Sequence, residues 1–209
     1  MRLCGENFFW TSMELVIATR NKGKVREIRR ALKGLGIRIR PLSDFSGTPP
    51  VEEDGKNFTE NAQKKARCYS RHTGRLTIAD DSGLEVDALK GLPGVYSARY
   101  AGERASDCEN DQKLLKEMEG VPPSRRGARF KCSIVIVSPE GKEAVIEGSC
   151  RGRIGLKEVG RKGFGYDPLF VLLRSGKTMA QLSIEEKNRI SHRGKALKKL
   201  RKVLPHFLK

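Results

Sequence analysis

The stretch that most constrains this chain is its first apolar run. Residues 14–19 read as a buried strand and pass directly into Arg20-Asn21-Lys22-Gly23-Lys24, after which apolar residues recur at Val25, Ile28 and Leu32. A continuous apolar run followed within a few residues by helical spacing is a strand, a polar turn and a helix. Gly34 and Gly36 end that helix, and Ile37 and Ile39 alternate with arginines in a second strand closed by Pro41.

The rest of the chain continues in this manner. Residues 42–55 form a loop rich in Pro, Ser, Gly and acidic side chains, and Phe58, Ala62, Ala66 and Tyr69 mark one face of the helix that follows. Residues 76–79 make a short strand leading into Asp80-Asp81-Ser82-Gly83, which reads as a turn, and Pro93 lies in another turn between Gly91 and Gly94. Ser106 with Glu109, and Ser183 with Glu186, have the spacing of capping boxes. Residues 128–154 alternate around Pro139-Glu140-Gly141 as a long antiparallel hairpin, so the sheet is mixed. A strand near residues 169–173 and a final helix after Ser191 complete the pattern.

The length of 209 residues suits one well-packed unit, and no repeat or linker marks a boundary within it. We expect residues 1–12 to be an N-terminal extension and residues 13–209 a single domain. The apolar runs are far shorter than the roughly 20 residues needed to cross a bilayer, and residues 1–12 lack the apolar core of a secretory signal. Five cysteines without a CxxC pair or Cys/His cluster fit reduced thiols in a soluble cytoplasmic protein. The net charge of +17 suits nucleic acid, small polyanions or a solvated surface alike. The basic run of residues 195–202 has its apolar positions at helical spacing and reads as a solvated outer face.

Five segments could carry chemistry. Residues 19–24 lie where a helix N-terminus favours phosphate, although the segment is not a Walker A loop and an ordinary turn fits as well. Asp80-Asp81, leaving a strand at a sheet edge, could hold a hard cation with one carboxylate, or simply cap a turn. Glu52-Glu53-Asp54 is a second acidic cluster or a solvated loop. Gly163 to Pro168 offers the Phe164 ring on a flexible backbone beside Asp167, either a platform for a flat base or a glycine turn with a core aromatic. Ser191-His192-Arg193 could present donors to a carbonyl or phosphate, or be structural.

Taken together and in order, these segments resemble the inosine triphosphate pyrophosphatase family. The matching residues are Ala18 to Lys24; Glu52-Glu53-Asp54-Gly55 with Phe58, Glu60 and Asn61; Ile78 to Leu84; Pro93 to Tyr100; Gly163 to Pro168; Glu186-Lys187-Asn188; and Ile190 to Gly194. Arg20 stands where a glycine is frequent in the family. The resemblance implies an elongated two-lobed α/β fold with a central mixed β-sheet flanked by helices, a nucleotide cleft between the lobes, and a homodimer.

It also implies metal-dependent hydrolysis of purine nucleoside triphosphates (ITP, dITP, XTP) between the α- and β-phosphates, with Mg2+ as cofactor. Carried over, the pattern puts Thr19, Asn21 and Lys24, within the segment containing Arg20, Lys22 and Gly23, on the triphosphate. Glu52 and Asp81 hold the metal, Asp81 is also the catalytic base, Asp80 is an accessory carboxylate, and Lys65 is a further phosphate contact. Ser82 bonds the nucleotide. Phe164, in the segment with Gly165, Tyr166 and Asp167, stacks on the purine. Lys187, His192 and Arg193 face the base and its 6-keto oxygen, where adenine would oppose donor to donor. Two rivals remain. One is a pyrophosphatase for other modified nucleotides; the other is a basic nucleic-acid-binding module, which explains neither acidic cluster. The resemblance itself points to no nucleic-acid partner.

Overall fold

Leu15, Val16 and Ile17 are at most 1% exposed in strand β1 (Glu14–Ile17), and the polar turn after them starts helix α1 (Lys22–Leu32). The Asn21 side chain caps that helix by accepting from the Lys24 amide at 3.0 Å. The computed structural model describes residues 13–208, so the expected extension over residues 1–12 lies outside the described residues. After α1 come β2 (Arg38–Pro41), helix α2 (Phe58–Thr73) and the long strand β3 (Leu76–Val86). Helix α3 (Asp107–Glu117) precedes the hairpin of β4 (Gly127–Val137) and β5 (Glu143–Ile154). Strand β6 (Phe170–Leu172) and helices α4 (Ile184–Ile190) and α5 (His192–Val203) follow.

The six strands form one sheet in the order β2-β1-β3-β4-β5-β6. Strand β1 pairs parallel with β2 and β3, and the remaining pairs are antiparallel, so the mixed sheet read from the sequence is present. Both capping boxes form, at the starts of α3 and α4. The chain is an α/β protein whose central mixed sheet is flanked by helices.

The alternation of side chains along β3 and β4 divides the core. Leu76 and Ile78 on β3, with Cys132, Ile134 and Ile136 on β4, pack against Ile28 and Leu32 of α1 and Ala196, Leu197 and Leu200 of α5. Burying each such leucine contributes about 1.5–3 kcal/mol. On the opposite face, Ala79 and Val135 meet Ala62, Ala66 and Tyr69 of α2. Farther along β3, Leu84 and Val86 join Leu114, Met118, Phe130, Phe170 and Leu172 in a separate core. Ile78 and Leu84 thus lie on the same face of β3 but in different cores, with Asp80 and Ser82 between them. The interruption between the two lobes is where the polar residues sit.

One sequence expectation is corrected here. Asp80-Asp81-Ser82-Gly83 is not a turn at a sheet edge; it lies in the middle of β3, paired residue for residue with β4. Asp and Gly disfavour strands, which masked its continuation. A Cβ on Gly83 would collide with Ser97 and the Gly94 carbonyl, so the glycine permits the short helical segment Gly94–Arg99 to approach the strand.

Candidate active site

Neighbouring side chains on a strand face opposite ways, and that separates the two aspartates. Asp80 turns toward α1 and α5, where Arg193 grips it through Nε to Oδ2 at 2.9 Å and through Nη2 to Oδ1 at 3.2 Å. Lys24 Nζ lies 2.6 Å from Asp80 Oδ1, and the Cys132 thiol donates to Asp80 Oδ2. Burial would raise the Asp80 pKa, but Arg193 and Lys24 outweigh it and hold the carboxyl well below its ordinary range. Arg193, 1% exposed, continues to Glu27 at 2.6 Å, and Glu27 to Lys187 at 2.7 Å. Lys187 in turn pairs with Asp167. Three acids and three bases alternate in this chain: Lys24, Asp80, Arg193, Glu27, Lys187 and Asp167.

Asp81 faces α2 instead. It accepts from Asn61 Nδ2 at 3.3 Å, and Lys65 Nζ stands 3.2 Å from its Oδ1 and 2.7 Å from Glu53 Oε2. Burial, opposed by Lys65 and Lys24 and reinforced by Glu53, pushes the Asp81 carboxyl up to about 6. Glu53 titrates below its usual value, since Lys65 outweighs its burial. Asn61 also accepts from the Gly55 amide at 2.7 Å, and Arg99 donates to the Glu53 carbonyl at 2.9 Å, so both sides of the acidic loop are fixed.

These groups line a cleft of about 300 Å³ between the two lobes. Thr19, Arg20, Asn21, Lys24, Glu53, Lys65 and Asp81 line it together with Ser82, Phe164, Gly165, Tyr166, Asp167, Lys187, His192 and Arg193. Lys187 Nζ lies 4.6 Å from the centre of the Phe164 ring. His192 stacks on Phe130 at 4.7 Å, and its Nδ1 has no partner among the described residues. Burial, with Arg193 and Lys187 nearby, drives the His192 pKa well down, so the ring is neutral and offers one donor and one acceptor.

Several expected placements change. Glu52 is exposed and faces a separate surface hollow with Asp54 and Lys64; the carboxylate beside Asp81 is that of Glu53. The Lys22 side chain lies outside the cleft, and Gly23 serves as the bare surface on which the Phe164 ring rests. Arg193 is not a free donor for a base, because its guanidinium is engaged by Asp80, Glu27 and, at 2.7 Å, Ser82 Oγ. Lys65 bridges the acid pair before any phosphate arrives.

Tyr166 is 4% exposed, with its hydroxyl donating to the Ser97 carbonyl at 3.0 Å. The loop carrying Phe164 is not flexible either, because the Phe164 amide donates to Asp167 at 2.9 Å and the Gly165 amide to Asp107 at 2.7 Å. Sequence reasoning missed Glu27, the only acid in α1, whose helical phase beside Ile28 was the available signal. It also gave Asn61 no role.

Among the described residues, no group of three or more His, Cys, Asp or Glu side chains could hold a metal ion unaided. Asp81 and Glu53 nevertheless suit a hard cation that takes its other ligands from phosphate and water. The Lys65 ammonium already occupies the space between them.

The Ham1 family model matches residues 15–203. A dITP/XTP pyrophosphatase of Desulforamulus reducens is 54% identical over 192 residues, 92% of this chain and 96% of the relative. One from Geobacter sulfurreducens is 55% identical over 183 residues, 88% and 92% of the two chains. Among solved structures, a HAM1 protein from Coxiella burnetii superposes with a TM-score of 0.84 at 41% identity, covering 93% of this chain and 99% of its own. A nucleoside-triphosphatase / dITP/XTP pyrophosphatase from Mycobacterium abscessus does so with a TM-score of 0.73 at 43% identity, covering 90% and 97%.

Proposed function

The chain belongs to the Ham1 family, and from that premise we propose that it hydrolyses dITP, XTP and ITP to the nucleoside monophosphate and pyrophosphate. One observation carries the reading: a single cleft combines an acid pair and two lysines with an aromatic ring beside a buried histidine and lysine. That combination matches a molecule with a metal-bound triphosphate at one end and a flat base at the other.

Asp81 and Glu53 would hold Mg2+, which when bound would supply charge neutralisation for phosphate oxygens and activation of water. Lys24, Lys65 and the start of α1 receive the phosphates, where the helix dipole favours negative charge. Asp81, on the same side of the cleft, is also the group that takes the proton of the attacking water. Ser82, the residue after Asp81, lies beside the sugar and α-phosphate. Phe164 stacks on the purine, and His192 with the third N–H of Lys187, whose other two meet Glu27 and Asp167, supplies the polar edge that meets the 6-keto oxygen. An adenine amino group leaves those donors unpaired.

The catalytic unit is residues 13–209, working as a cytoplasmic homodimer with no nucleic-acid partner. No helix among the described residues is long and apolar enough to cross a membrane. Leu92 and Tyr96, 46% and 53% exposed, form an apolar surface available to a second copy.

The test is a panel of ITP, dITP, XTP, GTP and ATP with Mg2+, with pyrophosphate and orthophosphate detected separately. IMP and pyrophosphate from ITP are expected; IDP and orthophosphate as primary products overturn the reaction assigned. Sedimentation at micromolar concentration checks the dimer.

A further inference from the structure

Beyond the phosphate end of the cleft, α1 carries a second feature that the proposed reaction does not use. Lys22, Arg26, Arg29, Arg30 and Lys33 share one helical face, opposite the buried face of Ile28 and Leu32. With Arg20 they line a groove of about 900 Å³ whose apolar surfaces come from Val25, Pro41, Leu42, Phe45 and Ile184. Of the six cations only Arg30 has a carboxylate partner among the described residues, Glu185 at 2.5 Å. Thr19 and Arg20 line both this groove and the cleft, so the two adjoin at the phosphate end of the proposed nucleotide site. Arg20 reaches across the junction to the Thr48 carbonyl at 3.5 Å and its hydroxyl at 3.4 Å.

From this geometry we infer that the groove receives the far half of a dinucleoside polyphosphate, and that such molecules with a 6-keto purine are a further substrate class. The inference rests on the cleft being the nucleotide site proposed above. A simple triphosphate ends at the junction and leaves five cations unpaired. A phosphate chain that continues past Arg20 meets them, and a second nucleoside finds the apolar surfaces of Phe45, Leu42 and Ile184. A plain polyphosphate chain uses the cations but not those surfaces. An oligonucleotide held by its 5′ nucleotide continues from the sugar, and so departs from the wrong end.

The reaction adds one water. Its oxygen bonds to the α-phosphorus of the nucleoside in the cleft, the bond from that phosphorus to the α–β bridging oxygen breaks, and the released proton passes to Asp81 and then to solvent. P1,P4-di(inosine-5′) tetraphosphate thereby gives IMP and ITP, and a second water converts the ITP to IMP and pyrophosphate.

The experiment follows P1,P4-di(inosine-5′) tetraphosphate and ITP in parallel by anion-exchange chromatography, using the full chain and the Arg26→Glu, Arg29→Glu double variant. Both exchanged residues are exposed and lie outside the cleft. Intact tetraphosphate is expected to yield IMP with ITP as an intermediate. Reversing two exposed cations should raise its KM about tenfold while leaving kcat/KM for ITP within about twofold.

Turnover of ITP without turnover of the dinucleotide overturns this inference and leaves the proposed function standing. Failure to cut ITP removes the proposed function itself. Equal losses on both substrates, or a variant that loses binding of a fluorescent single-stranded oligonucleotide while cutting the dinucleotide normally, reassigns the groove and overturns the inference.

Discussion

The two faces of β3 at the cleft carry adjacent aspartates and obey opposite electrostatic rules. On the Asp80 side three acids alternate with three bases, each charge is met by another, and the chain ties β3 to α1, α4 and α5. On the Asp81 side one lysine faces two carboxylates. The first arrangement balances its own charges. The second carries an excess negative charge in a confined place, and a group strained in that way is prepared for a cation or a proton. Internal charge balance therefore separates a clamp from a working site more cleanly than burial does, since Asp80 and Asp81 are 1% and 7% exposed.

The largest effect should come from Asp81→Asn. Turnover of ITP is expected to fall by about 10²- to 10⁴-fold, the usual weight of a positioned general base, while the melting temperature holds or rises. Pyrophosphate release and a thermal melt on the same preparation measure both; a variant that unfolds instead would place Asp81 in the clamp.

Arg193→Ala attacks the other side. Removing it strands Asp80 and Glu27 in the core, and urea unfolding should show a loss of about 3–5 kcal/mol. A loss below about 1 kcal/mol, accompanied by changed base selectivity, would make Arg193 a substrate contact after all.

Next comes the choice of carboxylate in the acidic loop. Glu53→Gln should raise the Mg2+ concentration needed for half-maximal activity by about 10- to 100-fold, and Glu52→Gln should leave it within about twofold. Magnesium titrations of the two variants that show the reverse order would restore Glu52 to the metal.

The smallest effect is a difference in sign with pH. The raised pKa of Asp81 means that its contribution to stability, present below its ordinary value of 3.8, is lost as pH rises through about 6. Glu27 is the opposite case: burial raises its pKa, Arg193 and Lys187 outweigh that, and the net lowering favours the fold above its ordinary 4.5 and is lost as pH falls below it. In chelator-treated protein, Asp81→Asn should therefore melt above wild type at pH 7 and match it near pH 4. Glu27→Gln should melt below wild type at pH 7, with the gap closing in acid. Parallel pH profiles for the two variants would erase the distinction between the faces.

Much of the architecture was legible because local signals agreed with tertiary ones. The caps at Ser106 and Ser183, the apolar face of α2 and the hairpin around Pro139-Glu140-Gly141 each form where the spacing of residues puts them. The course of β3 was not legible, because its middle residues favour turns, and what keeps them extended are partners on β4 and α5. Arg193 meets Asp80 and Glu27 across 113 and 166 residues of chain, so no local pattern reveals that its donors are already engaged. The inward turn of Glu53 rather than Glu52 was hidden for a related reason. In an irregular loop there is no period to say which of two neighbours turns inward, and the answer comes from Lys65 on α2 and Arg99 beyond β3.

The unbroken course of β3 through both cores also bears on how such a gene can change. Because the surroundings of Asp80 and Asp81 are assigned by odd and even position alone, inserting or deleting a single codon between Leu76 and Asp80 would exchange them, turning the clamp residue toward Lys65 and its neighbour toward Arg193. A point substitution along the strand changes one side chain, but a shift of one residue inverts every side chain beyond it. Lineages carrying this strand are expected to vary in length at the loops before α2 and after β5 and to keep the count from Leu76 to Val86 fixed.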